Sequence, residues 1–284
     1  MRVFNTADPT LRPPINMIVY GDGGVGKTTF VTSAPKPLLL DLEGGSKYFG
    51  LRGIKLDVTT IDSWSETDEV LKYASQKGYE TLAIDPIGEL MGLLRRYMES
   101  LKDSKLTMKD GSPTMAGWGY MKQQMRSFLR KARDLRLHTI IVAHVDPKDD
   151  DGRQIMYPMI ETKIRQEMIN MFDVVGYMTI VGAGETSKRA IIVDAESDKY
   201  KSKDRTGQLG KIIEPDFTKI IAACQGTESF AWMKSDATQL PKTDSAKPVE
   251  PPKEETDHAK KMREAKEATA ANLNKVTPPA TPSV

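Results

Sequence analysis

The sequence predicts an α/β domain with a largely parallel central sheet flanked by helices, an antiparallel extension at its C-terminal side and a disordered C-terminal tail. Three observations lead there. From Ile15 to about Gln225 short β-rich runs alternate with amphipathic stretches, the pattern of a sheet built through helical crossovers. The runs Ile15-Asn16-Met17-Ile18-Val19-Tyr20 and Thr139-Ile140-Ile141-Val142-Ala143 are apolar almost throughout, as strands covered on both faces must be. From about Ser235 aromatic residues vanish, and seven of the seventeen prolines lie from Pro241 onward, a composition that cannot bury a core.

Residues 1–14 carry Pro9, Pro13 and Pro14 and read as an extended arm. The core, residues 15–225, should place strands near Asn16 to Tyr20, Pro37 to Asp41, Lys55 to Thr60, Thr81 to Asp85, Thr139 to Ala143, Asp173 to Ile180 and Arg189 to Val193. Helices are expected near Lys27 to Ser33, Ser65 to Lys77, Ile87 to Leu101 and Trp118 to Leu135. The later strands supply the antiparallel extension, and residues 226–284 form a linker and the tail.

A chain of 284 residues can bury one substantial core but hardly two. No apolar run approaches the roughly 18 residues of a membrane span, and Met1 to Pro9 has no apolar segment of the kind a signal peptide needs, so a cytoplasmic protein is expected. Cys224 is the single cysteine, and His138, His144 and His258 have no ligand-like spacing, so any metal should arrive with a nucleotide. A formal net charge of +2 says nothing of nucleic acid, which would have to be met by local patches.

Gly21-Asp22-Gly23-Gly24-Val25-Gly26-Lys27-Thr28 fits G-x-x-x-x-G-K-[ST] between a predicted strand and a predicted helix. The residue types follow from the chemistry. Glycines let the amides of Gly23, Gly24, Val25 and Gly26 curl into one concavity, and the helix N-terminus adds partial positive charge. Lys27, expected to be an exposed loop side chain, would reach the β and γ phosphates, Thr28 would ligate Mg²⁺ and Thr29 would touch the α phosphate. Leu82-Ala83-Ile84-Asp85 is an apolar strand ending in a carboxylate that can hold the Mg²⁺ beside Thr28. After the next strand, Asp41-Leu42-Glu43 offers Glu43 to orient the attacking water, with Asp41 in competition for that role. Ile140-Ile141-Val142-Ala143-His144 ends another core strand in a side chain able to donate to a γ phosphate and change partner after hydrolysis.

This order of motifs resembles the RecA-like ATPases. More narrowly, Asp41-Leu42-Glu43-Gly44-Gly45, Gly117-Trp118-Gly119-Tyr120, Ala143-His144, Phe172-Asp173-Val174-Val175-Gly176-Tyr177-Met178 and Lys203-Asp204-Arg205-Thr206-Gly207 resemble phage-encoded nucleotide-binding proteins grouped with Sak-type single-strand annealing proteins, over about residues 14–224. The resemblance implies a minimal RecA-like core that binds single-stranded DNA and promotes annealing or recombination in a phage, in a bacterial cytoplasm. ATP is the expected nucleotide, since no Asn-Lys-x-Asp guanine reader occurs and Asp22 replaces the first lysine of the partition-type ATPases. In RecA-like relatives basic residues at the place of Lys203 and Arg205 complete a neighbour's γ-phosphate site, and Lys201, Lys203 and Arg205 would project to one side of an extended segment.

The resemblance also implies two DNA-contacting loops. Lys102 to Gly119 carries Lys102, Lys105 and Lys109, with Trp118 and Tyr120 at its far end either to stack on bases or to pack a helix on the core. Asp146 to Glu161 carries Lys148, Arg153 and Tyr157 beside the acidic Asp149-Asp150-Asp151. Phe4 and Ala7 match the Phe-x-x-Ala by which relatives dock an arm on the next subunit, a contact that builds rings or filaments. The expected protein is thus an Mg²⁺-dependent ATPase on single-stranded DNA, a homo-oligomer working beside a single-strand-binding protein. A helicase-type or loader motor and a nucleotide-switched assembly protein are the alternatives.

Overall fold

The computed structural model describes residues 12–150, 152–182 and 184–227. Phe4, Ala7 and the tail lie outside the described residues, as does Asp151. The strands are β1 (Asn16–Gly21), β2 (Pro37–Asp41), β3 (Asp57–Thr59), β4 (Thr81–Asp85), β5 (His138–Asp150), β6 (Arg153–Pro158), β7 (Val174–Val181), β8 (Lys188–Ile192), β9 (Lys203–Asp204) and β10 (Ile212–Ile213). The helices are α1 (Lys27–Val31), α2 (Thr67–Gln76), α3 (Ile87–Ser100), α4 (Met115–Asp134), α5 (Thr162–Met171) and α6 (Phe217–Cys224).

The sheet runs β10-β8-β7-β1-β5-β4-β2-β3. From β7 to β3 every neighbouring pair is parallel, while β8 and β10 continue the sheet antiparallel and β9 pairs antiparallel with the start of β7. The fold class is therefore the one expected, antiparallel extension included. Period-two alternation divides the core between the two faces of the sheet. Ile18, Tyr20, Leu38, Leu40, Leu82 and Ile84 pack with residues of α2, α3, α4 and α5. Met17, Val19, Leu39 and Ala83 pack with Phe30 of α1 and Phe217 of α6. Among the described residues no helix is long and apolar enough to cross a membrane.

Besides α5 and α6, helices in stretches where none was expected, two regions differ from expectation. The second expected loop is a β-hairpin, because β5 runs on past His144 and pairs antiparallel with β6 from Val145↔Pro158 to Asp150↔Arg153. The expected helix over Trp118 to Leu135 begins three residues earlier, where the Thr114 hydroxyl accepts the Gly117 amide at 3.0 Å and caps it.

Candidate phosphate and metal site

The carboxyl ends of β1, β2, β4 and β5 converge on one edge of the sheet, where open α/β sheets bind ligands. β1 delivers the loop 21–26. Gly24 and Gly26 have φ of 75° and 108°, which a side chain would strain. Gly21 must be glycine for another reason, since a Cβ there would lie 2.4 Å from the Met178 carbonyl oxygen of β7.

Lys27 departs from expectation. It is 7% exposed, and its ammonium donates to the carbonyls of Gly21 at 2.8 Å and Asp22 at 2.7 Å. Burial lowers its pKa, and Asp85, Asp22 and Glu43 oppose that shift. The cation is thus held folded on its own loop by acceptors that a phosphate can replace. The following helix α1 is only five residues long, so the amides of the loop matter more than a macrodipole.

Thr28 Oγ1 donates to Asp85 Oδ2 at 2.6 Å. Asp85 is buried, and its carboxyl pKa is raised first by that burial and then by Asp41 and Glu43, against the Thr28 hydrogen bond and the Lys27 charge. Two hard oxygens side by side in an acid-rich setting fit Mg²⁺, which takes one or two protein oxygens and completes its shell with water and phosphate. Among the described residues no cluster of three or more His, Cys, Asp or Glu side chains could hold a metal without a nucleotide.

β2 sits beside β4 with Asp41 level with Asp85. Asp41 accepts the amides of Gly44 at 2.8 Å, Gly45 at 3.1 Å and Ser46 at 2.9 Å, the weaker 3.3 Å contact of Glu43, and the Ser46 hydroxyl at 2.6 Å. Although burial works to raise its pKa, the hydrogen bonds from Ser46, Gly45 and Gly44 leave it lowered. Its oxygens are thus engaged by the turn that carries Glu43. Glu43 in turn reaches across the tip of β4, its Oε1 3.2 Å from His144 Nε2. His144 pairs with Gly21 across the β1–β5 ladder, which sets it beside the phosphate loop. Lys27, Thr28, Asp85, Glu43 and His144 are therefore brought to one edge, with Thr29 in the first turn of α1.

Lys203 and Arg205 are placed elsewhere. Arg205 donates its backbone amide to the Asp173 carbonyl, and Asp173 binds Asn16 at the start of β1, about 17 Å by strand rise from Gly21. Of the three basic residues expected to project to one side, Lys203 and Arg205 both reach the C-terminus of α5, while Lys201 meets Met156 and Tyr20 through its backbone. Lys203 Nζ donates to the carbonyls of Ile169 at 2.9 Å, Asn170 at 3.2 Å and Phe172 at 2.7 Å, and Arg205 bonds the Asn170 carbonyl and Asp173 Oδ1 at 3.1 Å. Losing the Lys203 ammonium from three helix-end carbonyls should cost about 1.5–3 kcal/mol. Lys203→Ala is accordingly expected to lower the thermal midpoint by about 3–12 °C, read by calorimetry. Mixing Arg205→Ala with Lys27→Ala should restore no turnover if the pair serves α5 alone. Recovery in the mixture would instead require Arg205 to reach a neighbouring site.

Among the residues expected on DNA, Lys102, Lys105 and Lys109 are exposed on the α3–α4 connection. Trp118 and Tyr120 lie half-buried on α4 against the core, and the Trp118 ring already faces Arg95 at 5.9 Å and Lys163 at 5.4 Å. On the hairpin, Lys148 pairs with Asp146 at 3.2 Å, Arg153 is exposed, and Tyr157 lies under Arg165 at 5.2 Å.

Two contacts reach the loop from β7 and β8 that the motifs give no sign of, although Tyr177 lies in one of the resembling segments. Tyr177 of β7 donates to Asp22 Oδ2 at 3.0 Å, and Arg189 of β8 donates from Nε to the Val25 carbonyl at 2.9 Å.

The profile of a family described as AAA domain matches residues 13–206, which spans this whole edge of the sheet. A relative, the SPbeta prophage-derived uncharacterized protein YorG of Bacillus subtilis (strain 168), is 24% identical over 208 residues, 70% of this chain and 62% of the prophage protein. The chain thus covers less than two thirds of that relative's length. With its phosphate loop, paired Thr28 and Asp85 and matching profile, the chain belongs to the AAA domain family of P-loop NTPases.

Proposed function

We propose that the chain binds and hydrolyses ATP with Mg²⁺ and uses the cycle on single-stranded DNA, promoting annealing or recombination in a phage, as a homo-oligomer beside a single-strand-binding protein. The observation that carries the catalytic half is the convergence of Lys27, Thr28, Asp85 and Glu43 on one edge of four parallel strands. Lys27 gives up the Gly21 and Asp22 carbonyls for the β and γ phosphates. Thr28 and Asp85 hold the Mg²⁺, which supplies neutralisation of the charge on the phosphates. Glu43 orients a water for attack in line with the leaving phosphate and accepts its proton, and His144 donates to the γ phosphate.

Support for the DNA half comes from the three exposed lysines of the α3–α4 connection and from the prophage origin of the relative. In a mobility shift on single- and double-stranded oligonucleotides with ATP, ADP or no nucleotide, retardation of the single strand that depends on nucleotide is expected. Replacing Lys102, Lys105 and Lys109 together by Ala should weaken that binding and reduce the salt slope by up to about two, at about 0.7 per phosphate contact on single strands. No retardation under any nucleotide favours the assembly reading, which the intramolecular covering of Trp118 and Tyr157 also favours.

A further inference from the structure

The phosphate loop is gripped from outside by the C-terminal half of the sheet. β7 lies parallel to β1 with Tyr177 opposite Tyr20, and β8 lies antiparallel to β7 with Arg189 opposite Ile180. Tyr177 stacks on Tyr200 at 4.5 Å and places its hydroxyl on Asp22 near the start of the loop. Arg189 places Nε on the Val25 carbonyl near its end, from 164 positions away. The Arg189 side chain lies close against Gly26, where a Cβ would stand 2.8 Å from Nε and 3.1 Å from Cδ.

A trans peptide directs the carbonyl of one residue and the N–H of the next to opposite sides. Fixing the Val25 carbonyl towards Arg189 therefore turns the Gly26 N–H away from Arg189, to the side where a phosphate must be met. At the other end, the Tyr177 hydroxyl holds aside a carboxylate that would repel that phosphate. We propose that Arg189 is a positioning residue for the phosphate loop, setting the Val25–Gly26 peptide for anion binding, with Tyr177 as its counterpart on Asp22. The inference rests on the nucleotide-binding reading.

Its test compares the wild type with Arg189→Ala, Arg189→Lys and Tyr177→Phe by equilibrium binding of a fluorescent ADP with Mg²⁺, by amide hydrogen exchange over residues 21–28 without nucleotide, and by thermal midpoint. Losing a charge-assisted hydrogen bond is expected to weaken ADP binding about tenfold or more. Lysine keeps the charge and loses the planar Nε donor, so Arg189→Lys should behave as Arg189→Ala does. Exchange over 21–28 should rise in both variants, with the midpoint nearly unchanged because Arg189 is exposed. Tyr177→Phe keeps the stack and should lose several-fold. Wild-type affinity and exchange in Arg189→Ala would overturn the proposal, and affinity restored by lysine would overturn it in favour of plain charge. A wild type that binds no ADP would instead sink the nucleotide reading itself, and the proposal with it.

Discussion

Lys27→Ala should lose nucleotide affinity by about 30-fold or more, because truncating one partner of a buried charged contact costs about 2–5 kcal/mol. The loss has two sources. The ammonium disappears from the β and γ phosphates, and its present acceptors, the Gly21 and Asp22 carbonyls, lose the cation that holds them. A folded variant is still expected, because the strands beneath the loop keep their ladders on both sides. The thermal midpoint of the nucleotide-free protein should nonetheless fall by a few degrees, as the lysine is buried and bonded. Titration with ADP and with ATP, alongside calorimetry, reads both effects. Normal affinity in a folded Lys27→Ala would remove the phosphate site from this loop.

What the sequence shows most clearly is where local pattern and burial agree. β2 and β4 coincide with their apolar runs and β1 differs by one residue, because strands buried on both faces are continuous in apolar residues and end at polar ones. α5 carries no such mark. Its buried residues are Ile164, Arg165, Met168 and Ile169, and a buried arginine in that stripe breaks the apolar period. Arg165 is tolerated there because it binds Asp146, which the folded hairpin supplies, and the Ile160 carbonyl in the connection that precedes α5. The hairpin itself reads as a loop, since Asp146-Pro147-Lys148-Asp149-Asp150 has turn-like composition, yet pairing with β6 extends β5 away from the covered sheet.

The candidate site divides along the same line. Lys27, Thr28, Asp85, Glu43 and His144 sit at ends of buried strands or in a glycine-rich turn, so their places follow from short segments. The choice between Asp41 and Glu43 does not, because both are acids at the end of β2. Only the amides of Gly44, Gly45 and Ser46 closing on Asp41 separate the one that shapes the turn from the one that faces His144. Arg189 lies in no motif, and Tyr177, although it falls in one of the segments that carry the resemblance, gives no sign of its contact with Asp22, since each meets the loop across more than 150 residues of chain.

Glu43→Gln should bind ATP within about twofold of the wild type and lower kcat at least about tenfold, towards the roughly 10²–10⁴ that a positioned proton acceptor contributes. Glutamine keeps the shape and one acceptor oxygen, so the contact with His144 and the turn held by Asp41 survive. It cannot take a proton from water. Asp41→Asn makes the contrast, because its amide keeps one acceptor oxygen but sets NH₂ donors where the other accepts, against the Ser46 amide if the oxygen stays with Gly44 and Gly45, which loosens the turn. That variant should therefore lose thermal stability and turnover together, whereas Glu43→Gln should lose turnover alone. Single-turnover hydrolysis with ATP and Mg²⁺, measured beside the melting curve of each variant, separates the two patterns. Should Glu43→Gln cleave ATP at the wild-type rate while Asp41→Asn is dead but folded at the wild-type midpoint, the acceptor is Asp41, and the turn owes its shape to something other than those five hydrogen bonds.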